Sequence, residues 1–375
     1  MVRILHTSDW HIGRRIGGRD RSDEHRTVLA EITGIADANS VDLILVAGDV
    51  FDSSAPSPQA EEIAWSALLA MAEVAPVLVV GGNHDNERRL DAVAPLLAMG
   101  RITTVGAPRA PGDGGLVHIE DLGTKVAMLP FVSQRGIVKA AQIMSEDPDR
   151  HAGDYAQRLR AVIEALTREM TDETVNVLMS HLTVYGALAG GGERTAHIFG
   201  YAIPASLFPG GLSYVALGHL HRQQKMPHAA SVWYSGSPLQ LDFGEVADRK
   251  GVLVVEAAPG LPSSVTSVPL SSGTRLATLR GTLAEVLERA DEVEGAFVKV
   301  ELEEKARVGL ADEVRAAIPG VVDVVLQGHQ PPEKTLVQRQ SLDPIEAFGR
   351  YLSDRGTEDP RLETLFAELL EEATT

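Results

Sequence analysis

The sequence contains no cysteine, and this absence limits the chemistry open to the protein. Without cysteine there are no disulfides, no thiol nucleophile and no thiolate metal site. Any bound metal ion must be held by aspartate, histidine and asparagine. These ligands favour manganese, magnesium, iron or zinc over softer metals.

Long apolar runs are also missing. None approaches the roughly 20 residues that a membrane helix requires, and the first candidate motif begins so close to Met1 that no room is left for a signal peptide. The hydrophobic fraction is 44% and the mean hydropathy is -0.01. We therefore expect a globular protein without membrane segments, located in the cytoplasm, whose 375 residues form two or three domains.

An excess of positive charge is missing as well. The net charge of -18 counts against a protein that binds nucleic acid without help. However, the loop HIGRRIGGRDR carries Arg14, Arg15, Arg19 and Arg21, and bound divalent ions would change the local field. These arginines are either a solvated loop or contacts to DNA phosphates. The net charge therefore favours a protein that binds nucleic acid with the help of a partner, and it does not exclude a phosphodiester substrate.

Five apolar segments end in residues that bind metal ions. In DLILVAGDVFD the run Leu43–Ala47 leads into Gly48, which permits a sharp turn, and then into Asp49. Such runs indicate buried strands, and open α/β sheets place ligand sites at the carboxyl ends of strands. In the other segments, VRILHTSDWH ends in Asp9 and His11, VLVVGGNHD in Asn83, His84 and Asp85, VNVLMSH in His181, and YVALGHLH in His219 and His221.

The residue types in these segments suit a pair of divalent ions. In Asp9-Trp10-His11 and in His219-Leu220-His221 the candidate ligands are two residues apart, so an extended backbone points them the same way. Two ions about 3.5–4 Å apart need a bridging carboxylate, and Asp49 is the best candidate because it ends the central strand. Metal ions of this kind activate water for phosphodiester hydrolysis. His84 can protonate the leaving alkoxide.

The pattern of elements predicts an α/β protein. Strands and helices alternate over the first third of the chain, which is typical of a doubly wound parallel sheet. Shorter strands follow, and AAPGLPSS (Ala257–Ser264) is predicted to be a loop before a domain boundary near residue 270. A small α/β unit begins at Leu276. Two amphipathic helices are predicted over Pro344–Leu352 and Arg361–Leu370, whose apolar stripes either pack on this unit or form a partner surface.

Taken together and in this order, the motifs resemble the calcineurin-like metallophosphoesterase superfamily. Within it, SDWHIG, AGDVFD, GGNHD, YVALGHLH and YSGSPLQLDFGE are similar to the SbcD family of bacterial nuclease subunits, over about Val2–Glu256. The resemblance implies a four-layer α/β/β/α sandwich over residues 1–270. It further implies a small α/β capping domain over 271–340 and partner-docking helices over 341–375.

The resemblance also assigns roles to individual residues. It implies two Mn²⁺ ions, with Mg²⁺ as an alternative. The first ion would be bound by Asp9, His11, Asp49 and His221, and the second by Asp49, Asn83, His181 and His219. His84 would be the catalytic histidine, and Asp85 would orient it. Asp52 lies near the site, and its role stays open.

The implied activity is that of a manganese-dependent DNA nuclease in repair and recombination. Such a nuclease would act as an exonuclease on duplex ends and as an endonuclease on hairpins or single strands. The implied partner is an SbcC-type coiled-coil ATPase, and a nuclease homodimer within a heterotetramer, associated with the nucleoid, is expected. Two alternatives stay open: a small-molecule phosphodiesterase or phosphatase of the same superfamily, and a subunit that tethers DNA ends without cutting them.

Overall fold

A computed structural model describes residues 1–133, 136–137, 155–191 and 202–326, together with the single residues Phe348, Leu352, Leu362 and Phe366. The chain divides into two compact units, Met1–Val325 and Leu326–Thr375. The first unit contains all the predicted site residues. In the second unit, the four described residues are helical, and the rings of Phe348 and Phe366 stack with centroids 4.1 Å apart.

The described residues contain fifteen strands and six α-helices, named in chain order. The strands are β1 Val2–Thr7, β2 Leu43–Ala47, β3 Val77–Val80, β4 Ile102–Val105, β5 Leu116–Ile119, β6 Thr124–Leu129, β7 Val175–His181, β8 Tyr214–Gly218, β9 Gln224–Met226, β10 Ser231–Tyr234, β11 Gly251–Ala257, β12 Ser264–Pro269, β13 Leu276–Gly281, β14 Phe297–Leu302 and β15 Val321–Leu326. The helices are α1 Ser22–Ala38, α2 Pro58–Val74, α3 Glu87–Ala98, α4 Tyr155–Thr167, α5 Leu283–Glu288 and α6 Leu310–Ala317.

Two six-stranded sheets form the body of the first unit. The first has the order β12–β11–β1–β2–β3–β4, in which β1 to β4 are parallel and β11 and β12 are antiparallel to their neighbours. The second has the order β5–β6–β7–β8–β10–β9, with β6, β7, β8 and β10 parallel. The strands that carry Asp49, His181 and His219 therefore lie in the interior of their sheets.

The two sheets pack face to face. Along β2 the side chains alternate: Leu43, Leu45 and Ala47 join a core that also contains residues of β7 and β8, whereas Ile44 and Val46 face the core formed with α1 and α2. The outer face of the second sheet packs on α4. This arrangement is the α/β/β/α sandwich, and it confirms the fold class expected from the resemblance. Because helices cover one side of β2 and the second sheet covers the other, both faces of this strand are buried.

Local sequence signals explain where helices begin. Helix α2 begins at Pro58, because the Ser57 side chain accepts a hydrogen bond from the backbone N–H of Ala60 and proline is favoured in the first helical turn. The prediction of a doubly wound sheet, which has helices on both faces, was wrong in one respect. Helices α1, α2 and α3 all contribute to the core on one face of the first sheet, because its other face is covered by the second sheet.

The remaining expectations have mixed outcomes. Three strands were missed: β9, β12, which follows the predicted Ala257–Ser264 loop, and β13. The small α/β unit is present as a three-stranded sheet β13–β14–β15 with α5 and α6. The proposed division at residue 270 falls directly after β12 and stays a prediction, as do the helices Pro344–Leu352 and Arg361–Leu370, which lie outside the described residues except at four positions. Within the described residues, no helix combines the length and apolar character needed to cross a membrane.

Candidate metal centre

Three glycines allow the strand ends to meet. A Cβ atom at Gly48 would lie 2.3 Å from Nδ1 of His181, and one at Gly82 would lie 2.1 Å from Oδ1 of Asp49. At Gly218 a Cβ atom would lie 1.9 Å from the carbonyl oxygen of Ala47. A larger residue at Gly48 or Gly218 would push the two sheets apart, and one at Gly82 would displace Asp49 within the first sheet. Gly48 and Gly218 are therefore required by the close approach of the two sheets, and Gly82 by the close approach of neighbouring loops in the first sheet.

Four of the predicted ligands have left-handed backbones. The φ angles are 53° for Asp9, 48° for His11, 50° for Asp49 and 103° for His219, and only two other described residues that are not glycine have a positive φ. Such conformations are costly for residues with a Cβ atom and concentrate at functional sites. Here they turn the side chains out of the strand direction and toward a common point.

Asp49 lies at the centre of the site. Its Oδ2 is 3.5 Å from Nε2 of His11 and 3.3 Å from Nε2 of His181. Its Oδ1 accepts a hydrogen bond of 2.8 Å from the backbone N–H of His84. One carboxylate oxygen thus faces ring nitrogens from both sides, as a bridging ligand requires.

Asp9, His11 and His221 form the first group of candidate ligands, with one ligand atom of each within 4.8 Å of the others. Nε2 of His11 and Nε2 of His221 are 3.2 Å apart. Nδ1 of His221 lies 2.8 Å from Oε1 of Glu245, so that Nδ1 carries the hydrogen and donates it. His221 therefore directs Nε2 into the site, which is the arrangement of a metal-binding imidazole.

Asp49, His181 and His219 form the second group. Nδ1 of His181 donates to the carbonyl oxygen of Ala47 at 2.9 Å, so its Nε2 faces the site. The side-chain oxygen of Asn83 lies 3.1 Å from Nε2 of His181 and 2.8 Å from Nδ1 of His219. The structure thus brings all seven residues predicted to bind metal close together: Asn83 contacts the second group, and Asp49 of that group also faces His11 of the first.

The charges of the site favour a cation at its centre. Burial alone would raise the pKa of Asp49, but the neighbouring His181 and His11 hold that pKa well below its usual range. Burial alone would lower the pKa of His181, yet the Asp49 carboxylate raises it to about 9. The buried Asp49 carboxylate is thus stabilised by positive charge beside it, and bound divalent ions would supply such charge. The residues present therefore fit divalent metal ions.

His84 lies beside the first group. Its Nδ1 donates to the backbone carbonyl of Asp52 at 2.9 Å, and its ring meets the ring of His11 edge-on, with centroids 4.8 Å apart. The Asp52 carboxylate is 3.3 Å from Nδ1 of His11. Asp52 therefore positions both histidines, one through its main chain and one through its side chain.

The expectation that Asp85 orients His84 needs correction. The Asp85 carboxylate accepts hydrogen bonds from the backbone N–H groups of Val50, Phe51 and Gly82, at 3.2, 3.0 and 2.8 Å. Burial raises the pKa of Asp85, and the nearby Asp49 raises it further. Asp85 thus ties the loop after β3 to the loop after β2, and the carbonyl of Asp52 orients His84.

Glu245 and Lys250 belong to the site and were not predicted. Glu245 is fully buried, and its carboxylate lies between His221 and Nζ of Lys250, at 2.8 and 2.7 Å. Burial alone would raise the pKa of Glu245, but the hydrogen bond from His221 and the charge of Lys250 lower it to about 2. The one available signal was the position of Glu245 at the end of the YSGSPLQLDFGE motif.

The arginine loop divides into two kinds of residue. Arg21 is 1% exposed, donates to Glu24 and to the carbonyl of Gln240, and lies over the ring of Phe297, 5.8 Å from its centroid. Neither expectation, a solvated loop or a phosphate contact, fits this residue. Arg14 is half-buried, with Nη1 3.5 Å from the Asp52 carboxylate. Arg15 and Arg19 donate to main-chain carbonyls at the surface.

A cleft of about 490 Å³ adjoins the second group. Its lining includes Asn83 and Asp85 from the site, Arg88 from α3, and the ring of Phe131, which stacks on His219 with centroids 6.2 Å apart. This volume lies within the range of ligand sites in proteins. The cleft therefore leaves room beside the candidate metal centre for part of a substrate.

The sequence is similar to those of known proteins. Residues 2–223 match the family described as calcineurin-like phosphoesterase. The chain is 31% identical to the SbcD subunit of the SbcCD nuclease of Bacillus subtilis, over 98% of this chain and 97% of that protein. The corresponding SbcD subunit of Rhodobacter capsulatus is 33% identical over 86% and 85%. That of Escherichia coli is 30% identical over 78% and 74%.

Proposed function

The chain belongs to the calcineurin-like phosphoesterase family and, within it, to the SbcD nuclease subunits, and from this we propose that it is a two-metal DNA nuclease subunit. The ions we assign are Mn²⁺. The first would be held by Asp9, His11, Asp49 and His221, and the second by Asp49, Asn83, His181 and His219. We assign the activity to duplex ends, as an exonuclease, and to hairpins or single strands, as an endonuclease.

One observation carries the proposal. Oδ2 of Asp49, at the end of β2, faces Nε2 of His11 and Nε2 of His181, which come from different sheets. A shared carboxylate between two groups of nitrogen and oxygen ligands is the arrangement that two-metal phosphodiester hydrolysis needs. The cleft beside it supports access for a polymeric substrate.

The roles of the protein side chains follow from their contacts. When bound, divalent ions polarise the phosphodiester and lower the pKa of water so that it attacks near neutral pH. His84 keeps its Nδ1–H on the carbonyl of Asp52, which leaves Nε2 to donate a proton to the leaving oxygen.

The partners we assign are DNA and an SbcC-type coiled-coil ATPase. The relatives are named as one subunit of the SbcCD nuclease, which indicates a second subunit in those complexes. The net charge of -18 supports the same assignment, because it opposes strong binding of DNA by the isolated chain. We place docking of the ATPase on residues 341–375, the capping role on 271–340, and the protein with DNA in the nucleoid.

We further propose a homodimer of the nuclease within a heterotetramer. Three large apolar side chains near the ends of α2 and α3 are exposed: Leu69 at 47%, Leu96 at 70% and Met99 at 86%. Leu69 lies beside Gly100, which follows α3, so the two helix ends are neighbours. Exposed apolar residues that lie together support a protein contact, and a second copy of the chain is the occupant we assign.

The decisive experiment measures release of nucleotides from linear duplex DNA with Mn²⁺, comparing the wild type with His84→Ala. Each protein is assayed alone and with the ATPase partner plus ATP. We expect His84→Ala to reduce release about 10²- to 10⁴-fold, because the proton donor is lost. Binding of Mn²⁺ should persist, because His84 belongs to neither ligand set. The exposed His118 of β5 offers a matched control, His118→Ala.

The outcomes separate the candidate functions. Equal release by the wild type and His84→Ala would show that another residue, or a contaminant, cuts the DNA. Cleavage of small phosphodiesters without cleavage of DNA would identify a phosphodiesterase of the same superfamily. No release from either protein, even with the partner, together with repair function that survives His84→Ala, would identify a tethering subunit.

A further inference from the structure

His221 lies outside the regular sheet and needs anchors of its own. Strand β8 ends at Gly218, and His219, one residue later, has a left-handed backbone. His221 therefore lies beyond the residues that the strand ladder holds in place. Its position depends on contacts from another part of the chain, and residues 237–250 supply them.

Glu245 anchors the side chain of His221. Its Oε1 accepts the hydrogen of Nδ1 at 2.8 Å, and its Oε2 accepts from the backbone N–H of Leu241 at 3.0 Å. Glu245 is fully buried. A carboxylate on the far nitrogen of a metal-binding imidazole fixes the ring orientation and makes the near nitrogen a better electron donor.

Lys250 anchors both Glu245 and the main chain of His221. Its Nζ donates to Oε2 of Glu245 at 2.7 Å, to the carbonyl oxygen of His221 at 2.9 Å and to Oγ of Ser237 at 2.9 Å. The three ammonium hydrogens thus have three acceptors. Because Lys250 is a cation beside the Glu245 carboxylate, the anchor as a whole is close to neutral. Its main effect is on the orientation and basicity of His221.

His181, in the second group of ligands, has an uncharged anchor. His181 donates to the uncharged carbonyl of Ala47. In addition to Asp49, which faces both groups, the first group contains the Asp9 carboxylate, whereas the second has the neutral amide of Asn83. Both differences favour a higher affinity for a divalent ion at the first group. Charged ligands, and an imidazole that a carboxylate has polarised, bind such an ion more tightly.

We propose that Glu245 and Lys250 are positioning residues that act through His221 and give the Asp9–His11–His221 group the higher affinity for a divalent ion. The two ions then bind in a defined order, first at this group and afterwards at the Asp49–His181–His219 group. This inference rests on the two-ion site of the proposed function. It adds the order of binding and the two residues that establish it.

The test is a titration of the metal-free full-length chain with Mn²⁺, followed by calorimetry or by the electron spin resonance of the free ion. The wild type should bind two ions in two steps of unequal affinity. Glu245→Gln should weaken the tighter step about 10- to 100-fold, the range found for partners of metal-binding histidines, and change the weaker step less than about twofold. Glu301→Gln, which removes a paired carboxylate from β14, is the matched control.

A second variant protects the test against misfolding. Lys250→Met alone would leave the Glu245 carboxylate buried beside no cation, which is strongly unfavourable. The double variant Glu245→Gln/Lys250→Met removes both charges and keeps the volume of the two side chains. We expect its metal-free form to unfold near the temperature of the wild type and its tighter step to be weakened as in Glu245→Gln.

Three results would overturn the inference in distinguishable ways. Unchanged affinity in Glu245→Gln and in the double variant, with altered unfolding temperature only, would show that the pair merely supports the fold. Two steps of equal affinity in the wild type would refute the order of binding. Fewer than two bound ions in the wild type would refute the two-ion function itself, and this inference with it.

Discussion

At the scale of the residue, the site depends on which atom of each side chain forms a hydrogen bond outside the site and which atom is left to face it. His181, His221 and His84 each use Nδ1 for a hydrogen bond to an oxygen outside the ligand sets, which leaves Nε2 for the site. Asp49 divides its two oxygens in the same way, with Oδ1 on the His84 main chain and Oδ2 facing two imidazoles. These second contacts select one orientation of each ligand before any ion binds.

The position of Asp49 predicts different losses for two single substitutions. Asp49→Asn should weaken binding of both Mn²⁺ ions, because Oδ2 faces both groups and its charge is removed. His181→Ala should weaken only the second ion, because His181 belongs to one group. Both effects should be at least tenfold by the range for metal-site partners, measured by titration of metal-free protein. If Asp49→Asn lost one ion only, Asp49 would not be the bridge.

At the scale of the element, the strand ends are as important as the strands. Strands β1, β2 and β3 run parallel in one sheet, and β7 and β8 run parallel in the other. A candidate ligand ends β7 and follows each of the other four strands. Glycines at the points of closest approach allow these ends to converge. The most crowded of them is Gly218, where an added Cβ would lie 1.9 Å from the carbonyl oxygen of Ala47 in the other sheet.

Alanine at two glycines should therefore have opposite effects. Gly218→Ala should destabilise the protein by about 3 kcal/mol, because the clash is with backbone that cannot move aside. Gly34→Ala, in the exposed interior of α1 with open space around it, should stabilise by about 0.5–1 kcal/mol. Urea unfolding monitored by circular dichroism measures both. A Gly218→Ala protein of normal stability would mean that the sheets separate easily.

At the scale of the whole molecule, one buried arginine connects the sandwich to the small α/β unit. Arg21 pairs with Glu24, donates to the carbonyl of Gln240 and lies over Phe297 of β14. The side chain of Glu24 accepts the backbone N–H of Thr274 at 2.8 Å, directly before β13. The first compact unit is therefore held together by buried polar contacts as well as by its apolar cores.

Removal of this arginine should have a large effect on stability. Arg21→Met should cost about 3–5 kcal/mol, because it leaves a largely buried carboxylate and a carbonyl without their cation. Arg26→Met on the exposed side of the same helix should cost less than about 1 kcal/mol, because the pairs of Arg26 with Asp23 and Glu62 are open to water. The comparison uses the unfolding free energy in urea. Similar costs for the two substitutions would contradict a structural role for Arg21.

The sequence alone was sufficient for most elements and for the chemical type of the site. Apolar runs that end in metal-binding residues are local signals, so the strands β2, β3 and β7 were predicted with the bounds that the structure shows. The residues predicted to bind metal also come together in the structure. Their assigned roles in binding and catalysis stay predictions that the metal titrations and the DNA assay will test.

Only the tertiary structure decided which atoms meet. His181 and the Ala47 carbonyl that orients it are 134 positions apart in the chain and come from different sheets. The contacts of Asp85 with three backbone N–H groups, the burial of Arg21 and the Glu245–Lys250 anchor of His221 are of the same kind. Local periodicity tells which face of a strand is apolar, but not which distant segment packs against that face. The sequence therefore determined the ligand types, and the packing of the two sheets determined their partners.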